Sequence, residues 1–421
     1  MHKLKTWAWV LTANFAEGVP NTIVSTMLVV LLKDMGLGNG DAVMIPSLLT
    51  LPWMWKFAWS PVVDTHSTKR RWMLVMQTLI IAAIASIALA VGHSWWLPVV
   101  VAGSAVIALV GATYDIACDG HYMLSLNQSQ QAFFVGIRST AYRLGMLFVS
   151  GFLLIQAKDG STEAWQRTLI IAAATIICIL LILCVLLPKD GISPDTLTPS
   201  SDKPEEKRNL IEVLRSFIAL HHGRELILML LFIFTYRLGE AFLSKVTILF
   251  LKDDIANGGL ALDNQQYGFL YGTFGTLSLV IGGIIGGMCI SRWGLRRCLI
   301  PMVLALDVPD LLYVWLASMG WTSGADHLGI IGSCVSIEQF GYGFGFTAYT
   351  VYLLRCAKGP FETSHYAFLT ALMSFGLLLP STISGYIQDM VSSYYLYFIM
   401  ACIITLPGIA VSLIVVKDLK E

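Results

Sequence analysis

Two carboxylates, Asp115 and Asp119, lie four residues apart inside a long apolar run, in the stretch GATYDIACDGHY from Gly111 to Tyr122. On a helix this spacing places them on one face, one turn apart. Each aspartate at the centre of a membrane helix costs about 2.5–3.5 kcal/mol on insertion scales. The pair therefore predicts a water-filled cavity or a partner charge beside it. The alternative is a solvated or salt-bridged pair with a structural role.

Basic side chains in other apolar runs predict a site for an anionic substrate. The candidates are Arg143, Arg237 and Lys245, because a guanidinium binds carboxylate or phosphate through two parallel hydrogen bonds. For Arg143 and Arg237 the alternative is pairing with acids, which would keep the interior neutral. Lys245 lies five residues after Glu240, a poor spacing for mutual contact on a helix, so we expect it to face another group.

Carboxyl groups in a low dielectric bind protons at physiological pH, so the buried acids are candidates for proton coupling. In order of preference these candidates are Asp115, Asp119, Glu240, Glu17 and Glu338. Other side chains near the polar positions are candidate substrate contacts, namely Tyr114, Tyr142, Tyr236, Trp53 and Lys56. Aromatic rings stack on ligands, but in membrane helices they also serve packing and interface anchoring.

The composition indicates an integral membrane protein. The 421 residues are 56% hydrophobic and 13% charged, with a mean hydropathy of +0.71, whereas a soluble domain carries about 25% charged residues. The net charge is zero, and no basic stripe predicts nucleic-acid binding. No CxxC, Cys/His cluster, HExxH or Ser/His/Asp arrangement is present, so we expect no metal, no cofactor and no catalytic residues, and an embedded enzyme is the less favoured class.

Apolar runs of bilayer length, about 20 residues each, predict about twelve spans. They are Trp7–Leu32, Ala42–Val63, Trp72–Val91, Trp95–Ser125, Ala132–Gln156, Trp165–Leu187, Glu225–Leu251, Asn264–Ile290, Cys298–Met319, Leu328–Leu354, Ser364–Met390 and Tyr394–Val416. The predicted domains are a six-helix half at 1–187, a linker at 188–224 and a second half at 225–421. The linker's LIEVLRSFIAL stretch is amphipathic and is expected along the membrane surface. Two such halves are typical of the major facilitator fold.

Basic residues predict the orientation. The loops on one side are rich in Lys and Arg, whereas the other side holds only Lys33, Lys158, Arg167 and Lys252. Both termini are therefore expected in the cytoplasm. Two inner loops resemble each other and are predicted to act in gating, with Gly allowing close helix approach and bases meeting helix ends. The gating candidates are Asp64, Arg70 and Arg71 after span two, and Gly287, Arg292, Gly294, Arg296 and Arg297 after span eight.

The buried charges concentrate on spans one, four, seven and ten, whereas spans three, six and twelve hold none in their centres. In the major facilitator arrangement the first set lines a central cavity, so a polar, water-accessible cavity is expected. Asp307 and Asp310 flank Pro309 in span nine and are exceptions, for which we favour a structural role such as a kink. The glycines from Gly341 to Gly345 in span ten predict a loosened or broken helix near Glu338.

Several stretches together resemble the AmpG-type muropeptide permeases. They are NFAEGVP, KFAWSPVVD, YDIACDG, YRLGMLFVSG, YRLGEAF, IEQFGYGFGFTAYTVYLL and YAFLTALMSFG, in the family's order over nearly the whole chain. The resemblance implies proton-driven import of peptidoglycan fragments across the bacterial inner membrane, with Asp115 and Asp119 at acidic family positions. Glu17 and Lys245 depart from the family's small or uncharged residues, and the longer permeases continue beyond the position of Glu421.

The sequence thus predicts an all-α, monomeric secondary transporter that imports a muropeptide or a similar polar anionic compound by alternating access. Its expected partners are the lipid bilayer, a small-molecule substrate and protons, but no nucleic acid. A siderophore permease or an acyl-CoA-type permease is the alternative, since the same clan contains both.

Overall fold

The computed structural model describes residues 2–126, 128–188, 210–221, 223–357 and 362–419. The side chains at 2–4, 61, 64–65, 128–133, 135–136, 139, 210–214, 362–364 and 367 lie outside this description. Most of the predicted linker falls at 189–209 and therefore also lies outside the described residues. Its amphipathic stretch forms the helix Leu210–Leu220, as predicted.

Helices account for nearly all of the described chain, which confirms the all-α prediction. In the N-terminal half, span one is His2–Thr22, a π-helical turn Ile23–Met27 and Leu28–Asp34; span three is Lys69–Ala90; span four is Trp96–Ser125; span five is Gln128–Leu147, a π-helical turn Phe148–Leu153 and Leu154–Gln156; span six is Thr162–Leu186. In the C-terminal half, span seven is Arg224–Thr235 and Leu238–Lys252; span eight is Asn264–Tyr267, a π-helical stretch Gly268–Gly275 and Thr276–Trp293; span nine is Leu295–Asp307, a 3₁₀ turn Val308–Asp310 and Leu311–Ser318; span ten is Leu328–Cys356; span eleven is Glu362–Val391; span twelve is Tyr394–Asp418.

Among the described residues, nine helices are long and apolar enough to cross a membrane. They coincide with nine of the predicted spans. Span five contributes the shorter apolar helix Thr140–Gln156, and span ten is 29 residues long but carries several polar residues. Span two is the remaining case.

The span predicted at Ala42–Val63 is helical but is not one continuous helix. Span two is divided into Asn39–Leu48, Leu51–Trp55, a 3₁₀ turn Lys56–Ala58 and Ser60–Thr65. Two of these pieces carry a proline in their first two positions. Proline has no N–H and its ring clashes with the preceding turn, so it starts a new helix more readily than it continues one.

The break predicted in span ten is wrong, since Leu328–Cys356 is one continuous helix. Its glycines serve close packing. A Cβ on Gly341 would overlap the carbonyl oxygen of Ala305, and one on Gly343 would overlap that of Leu279. Small residues of this kind let the backbones of membrane helices approach each other.

Close packing was likewise predicted for the wrong glycine in span eight. Nothing lies within 4 Å of a Cβ built on Gly287. A Cβ on Gly282 would overlap the carbonyl oxygen of Phe340, and one on Gly286 would lie 2.9 Å from Met302 Cε. Span eight therefore packs closely through Gly282 and Gly286, and not through Gly287.

By internal contacts the chain forms two compact units, the first comprising Met1–Leu37, Ile45–Asp202 and Asp263–Gly272, and the second Gly38–Met44, Lys203–Leu262 and Thr273–Glu421. Within the first unit span one packs on five and span three on four; within the second, span seven packs on eleven and span nine on ten. The same pairs of spans, offset by six, therefore pack together in both units.

Buried polar side chains form hydrogen bonds inside each unit, and these fix the short segments 38–44 of the second unit and 263–272 of the first. In the second unit Asn39 Nδ2 donates to Gln388 Oε1 at 2.7 Å, and the Tyr394 hydroxyl donates to Asp253 Oδ2. In the first unit Asn264 Nδ2 donates to the carbonyl oxygen of Ala157 at 2.7 Å.

Polar residues cap the helices where they leave the apolar runs. Ser161 caps span six by accepting from the backbone N–H of Ala164. The same serine donates from its side chain and backbone to Asp159, and these hydrogen bonds lower the pKa of that loop carboxyl. A capping box between Asp263 and Gln266 starts span eight.

Candidate functional site

Spans one and five cross at two glycines, and this crossing positions the charged groups of the N-terminal half. A Cβ on Gly18 would overlap the carbonyl oxygen of Tyr142, and a Cβ on Gly145 would overlap that of Phe15. The backbones approach this closely because neither glycine has a side chain. As a result Glu17, next to Gly18, faces Arg138 on span five.

Arg138 is the centre of a hydrogen-bonded charge cluster. Its Nη2 atom pairs with Asp119 Oδ1 and lies 3.9 Å from Glu17 Oε2. Its Nε atom donates to Asn14 Oδ1 at 2.8 Å, and its guanidinium lies 4.3 Å from the centre of the Tyr122 ring. One guanidinium thus joins spans one, four and five.

Asp115 has a different partner from Asp119. Lys56 Nζ lies 3.7 Å from Asp115 Oδ2, and the side chains are 35% and 6% exposed respectively. Lys56 opens the 3₁₀ turn of span two, so the break in that span brings the ammonium to span four. The other carboxylate oxygen, Asp115 Oδ1, is buried, and the Trp53 indole N–H lies beside the same carboxylate.

The cluster holds more acids than bases. Among the described residues of the first unit, three carboxyls, Glu17, Asp115 and Asp119, form ion pairs with two cations, Lys56 and Arg138. An unpaired carboxylate removed from water is costly. The arrangement is therefore closest to neutral when one of the three carboxyls carries a proton.

Three further candidates of the N-terminal half differ in burial: one is fully buried and two are half-buried. Tyr114 is fully buried and its hydroxyl donates to the carbonyl oxygen of Ala13 at 3.1 Å, which favours the packing alternative. Tyr142 is half-buried within electrostatic range of Asp115 and Glu17. Arg143 is half-buried and makes no hydrogen bond or ion pair to any described residue.

Trp53 lies on the second piece of span two and packs against span four. Its ring carbon Cζ2 is 3.0 Å from a Cβ position built on Gly111. The indole N–H is buried and lies beside the Asp115 carboxylate, close enough to interact with it. Trp53 is therefore a neighbour of this acid as well as a packing residue.

In the C-terminal half Arg237 is already paired. Its guanidinium makes two hydrogen bonds of 2.7 Å to the Glu240 carboxylate and one of 2.8 Å to the Tyr342 hydroxyl, and it lies 4.7 Å from the centre of the Phe346 ring. The structure thus shows Arg237 paired with an acid, the alternative to substrate binding. The role of Arg237 in substrate binding, and that of Glu240 in proton coupling, stay predictions.

The other C-terminal candidates are largely buried. Tyr236 is 1% exposed and donates to the carbonyl oxygen of Gly345, a packing contact. Lys245 is buried on span seven. Glu338 accepts hydrogen bonds from the Tyr313 hydroxyl at 3.1 Å and from Gln339 Nε2 at 2.9 Å.

The gating candidates occupy helix ends. Arg70 Nη2 donates to the carbonyl oxygen of Cys184 at 2.7 Å, which places a base near the C-terminus of span six. The gating role of these residues stays a prediction. Gly294 has a φ of +77° and separates spans eight and nine. The side chains of Arg71, Arg292, Arg296 and Arg297 are exposed, and that of Asp64 lies outside the described residues.

Sequence reasoning placed Arg138 in span five but did not select it. A signal was available: Asp119 and Arg138 both lie near the connection between the consecutive spans four and five, so a helical hairpin brings them together. Asn14 was not selected either, although it lies about one helical turn from Glu17 on span one. The link between span two and Asp115 depended on a break that the hydropathy pattern does not show.

Buried charge clusters inside a bundle of membrane-crossing helices are characteristic of transporters. The comparisons agree: the model of the Major Facilitator Superfamily matches residues 10–358. The chain belongs to the Major Facilitator Superfamily and is a multi-pass membrane transporter rather than an enzyme.

Individual relatives are AmpG-like, as the sequence motifs indicated. The chain is 28% identical over 424 residues to the Anhydromuropeptide permease of Escherichia coli, covering 98% of this chain and 80% of the relative. It is 24% identical over 361 residues to the Putative transporter AmpG 3 of Rickettsia prowazekii, covering 80% and 79%. A solved structure of the nucleoside transporter NupG superimposes with a TM-score of 0.71 at 11% identity, covering 99% of this chain and 100% of that one, which supports the fold.

Proposed function

We propose that the protein is a proton-coupled importer of peptidoglycan fragments (muropeptides), or of a similar polar anionic compound, across the bacterial inner membrane. Similarity to the Anhydromuropeptide permease over 98% of the chain supports the substrate class. The observation that carries proton coupling is the excess of carboxyls over cations around Arg138 and Lys56. Transport proceeds by alternating access, with both termini in the cytoplasm.

Coupling operates through competition for Lys56. While Asp115 is ionised, its carboxylate holds the ammonium at 3.7 Å. A proton on Asp115 removes that attraction and leaves the Lys56 charge available to a carboxylate of the substrate. Substrate binding in turn keeps Lys56 away from Asp115 and favours the protonated acid, so proton and substrate bind more tightly together than apart.

Arg143 supplies the second contact to the substrate. It is half-buried, and no hydrogen bond or ion pair to the described residues occupies its guanidinium. It follows Tyr142, which lies within electrostatic range of Asp115 and Glu17. A muropeptide carries peptide carboxylates and sugar rings, which suit a guanidinium and an aromatic side chain respectively.

Asp115→Asn is expected to separate exchange from accumulation. The amide has the shape of a protonated acid but cannot release a proton. In proteoliposomes loaded with unlabelled anhydromuropeptide, we therefore expect exchange for external labelled substrate to persist. Accumulation of labelled substrate driven by an acidic exterior should be lost. Asp119→Asn should reduce accumulation too, and it should also destabilise the protein because Arg138 loses its partner.

Asp254→Asn is the matched control, since this aspartate is exposed in the loop after span seven. Its accumulation should equal that of the wild type. Unchanged accumulation in both Asp115→Asn and Asp119→Asn would show that protons couple elsewhere. A folded wild-type protein that moves no muropeptide under either condition would refute the substrate assignment alone.

A further inference from the structure

Span nine is broken where it passes between spans seven, ten and twelve. Its helix ends at Asp307, a 3₁₀ turn covers Val308–Asp310, and a second helix starts at Leu311. Pro309 explains the break, because it cannot donate to the preceding turn. The two aspartates at the ends of the turn are 5% and 4% exposed, so both are more than nine-tenths buried.

Glycines on the neighbouring spans let this turn pack tightly. A Cβ on Gly341 of span ten would lie 3.2 Å from Pro309 Cγ, and a Cβ on Gly239 of span seven would lie 3.7 Å from Asp310 Oδ2. The same Gly239 position would overlap Thr405 of span twelve. The turn is therefore enclosed by three helices.

The groups that face the two aspartates are mostly acidic or neutral. Asp310 lies within electrostatic range of Asp307, Glu338 and Glu240. The other titratable or charged groups around the turn are Tyr236 and Arg237 of span seven, Tyr313 of span nine, Tyr342 of span ten and Cys402 of span twelve. Arg237 is the cation of this set, and both of its carboxylate contacts go to Glu240.

The acids other than Glu240 consequently have no cation. Within the described residues no ion pair involves Asp307, Asp310 or Glu338. The Asp307 Oδ2 atom is buried and has no hydrogen-bond partner there. A carboxylate in such a position would suffer the full loss of its hydration, whereas a protonated carboxyl is neutral and can donate to a neighbouring acid.

We propose that Asp307, Asp310 and Glu338 form a second proton-binding site, inside the C-terminal half, that takes up and releases a proton during transport. The bound ligand is the proton: a carboxylate oxygen gains it from water and returns it to water. No group of three or more potential ligands in the described chain is arranged to hold a metal ion. The site rests on the proposed function for its transport role but not for its proton binding.

Infrared spectroscopy of the reconstituted full-length protein tests the binding directly, because a protonated carboxyl has a carbonyl stretch that an ionised one lacks. Wild type should show a carboxylic-acid band that falls as the pH is raised. Asp307→Asn and Asp310→Asn should each remove part of the titrating band. Asp326→Asn, an exposed aspartate before span ten, should leave it intact, and Glu338→Gln probes the same site should an aspartate variant fail to fold.

Three results would overturn the site: a band unchanged in all three variants, a component that is lost in the variants but does not titrate, or a component abolished by sodium ions at fixed pH. The last would indicate a cation site instead. In proteoliposomes Asp310→Asn should retain exchange but lose part of the proton-driven accumulation. The infrared result needs no substrate, so failure of muropeptide transport in wild type would refute the proposed function and leave this site standing.

Discussion

Replacing Arg138 by Gln is expected to lower the stability of the N-terminal half and to abolish transport. The substitution removes the partner of Asp119, the nearest cation of Glu17 and the donor to Asn14. Asp119 is 37% exposed, so water can hydrate the carboxylate that the substitution leaves without a partner. We expect the free energy of unfolding to fall by about 2–4 kcal/mol, between the values for losing an exposed ion pair and for breaking a fully buried one. Thermal unfolding in detergent, followed by uptake in proteoliposomes, measures both effects.

Arg143→Gln is the matched control, because it makes the same change one and a half turns further along the same helix. Arg143 has no hydrogen bond or ion pair to a described residue, so its melting temperature should stay at the wild-type value. As a proposed substrate contact it should instead raise KM by roughly tenfold to a hundredfold, the range for a lost charged hydrogen bond.

A double variant separates neutralisation from packing. Adding Asp119→Asn to Arg138→Gln removes the acid that the first change leaves without a partner. If charge pairing dominates, the double variant should melt higher than Arg138→Gln alone, giving a clear non-additive term. Equal melting temperatures for wild type and Arg138→Gln would show that the cluster contributes nothing to stability.

The fold was largely predictable because hydropathy, charge asymmetry and span length are properties of single segments. The apolar runs locate the helices, and Asp115 of span four is buried as expected. Asp307 and Asp310 of span nine are equally buried, although the charge pattern treated them as exceptions. The orientation and the inner-membrane location stay predictions, as they depend on the membrane rather than on the chain's packing.

The partners of those acids were less predictable, because pairing depends on how spans cross. Asp119 pairs with Arg138, whereas Arg143 of the same helix was the arginine for which pairing with an acid was considered. The two arginines have the same chemistry and differ in position relative to span four. Lys56 reaches Asp115 because span two breaks, and a run of apolar residues containing prolines reads as continuous on a hydropathy scale.

Glycines were misread for a related reason. A sequence motif shows where a glycine occurs. Whether that glycine allows close helix packing depends on which atoms of the neighbouring helix lie next to it. Gly287 faces open space, whereas Gly282 and Gly286 contact span ten. In span ten itself, glycines predicted to break the helix permit it to pack against spans eight and nine.

Gly18→Ala should therefore be among the most damaging single substitutions in the chain. The added Cβ would overlap the carbonyl oxygen of Tyr142, and it would lie 3.1 Å from that residue's carbonyl carbon and 3.3 Å from the Met146 nitrogen. These are backbone atoms, so no side chain can rotate away and span five must move. Overpacking of this kind costs about 1–3 kcal/mol or more. The displacement would also separate Glu17 from Arg138, so transport should fall together with the melting temperature.

The control is Gly287→Ala, another glycine in the interior of a membrane helix, where a Cβ meets nothing within 4 Å. Its melting temperature should match that of wild type, which would exclude a general effect of replacing helical glycine. Gly145→Ala should reproduce the Gly18→Ala phenotype, because its Cβ would overlap the carbonyl oxygen of Phe15 on the other side of the same crossing. Wild-type stability in both crossing variants would mean that the two helices can separate without loss, and that the positions of Glu17 and Arg138 do not depend on this contact.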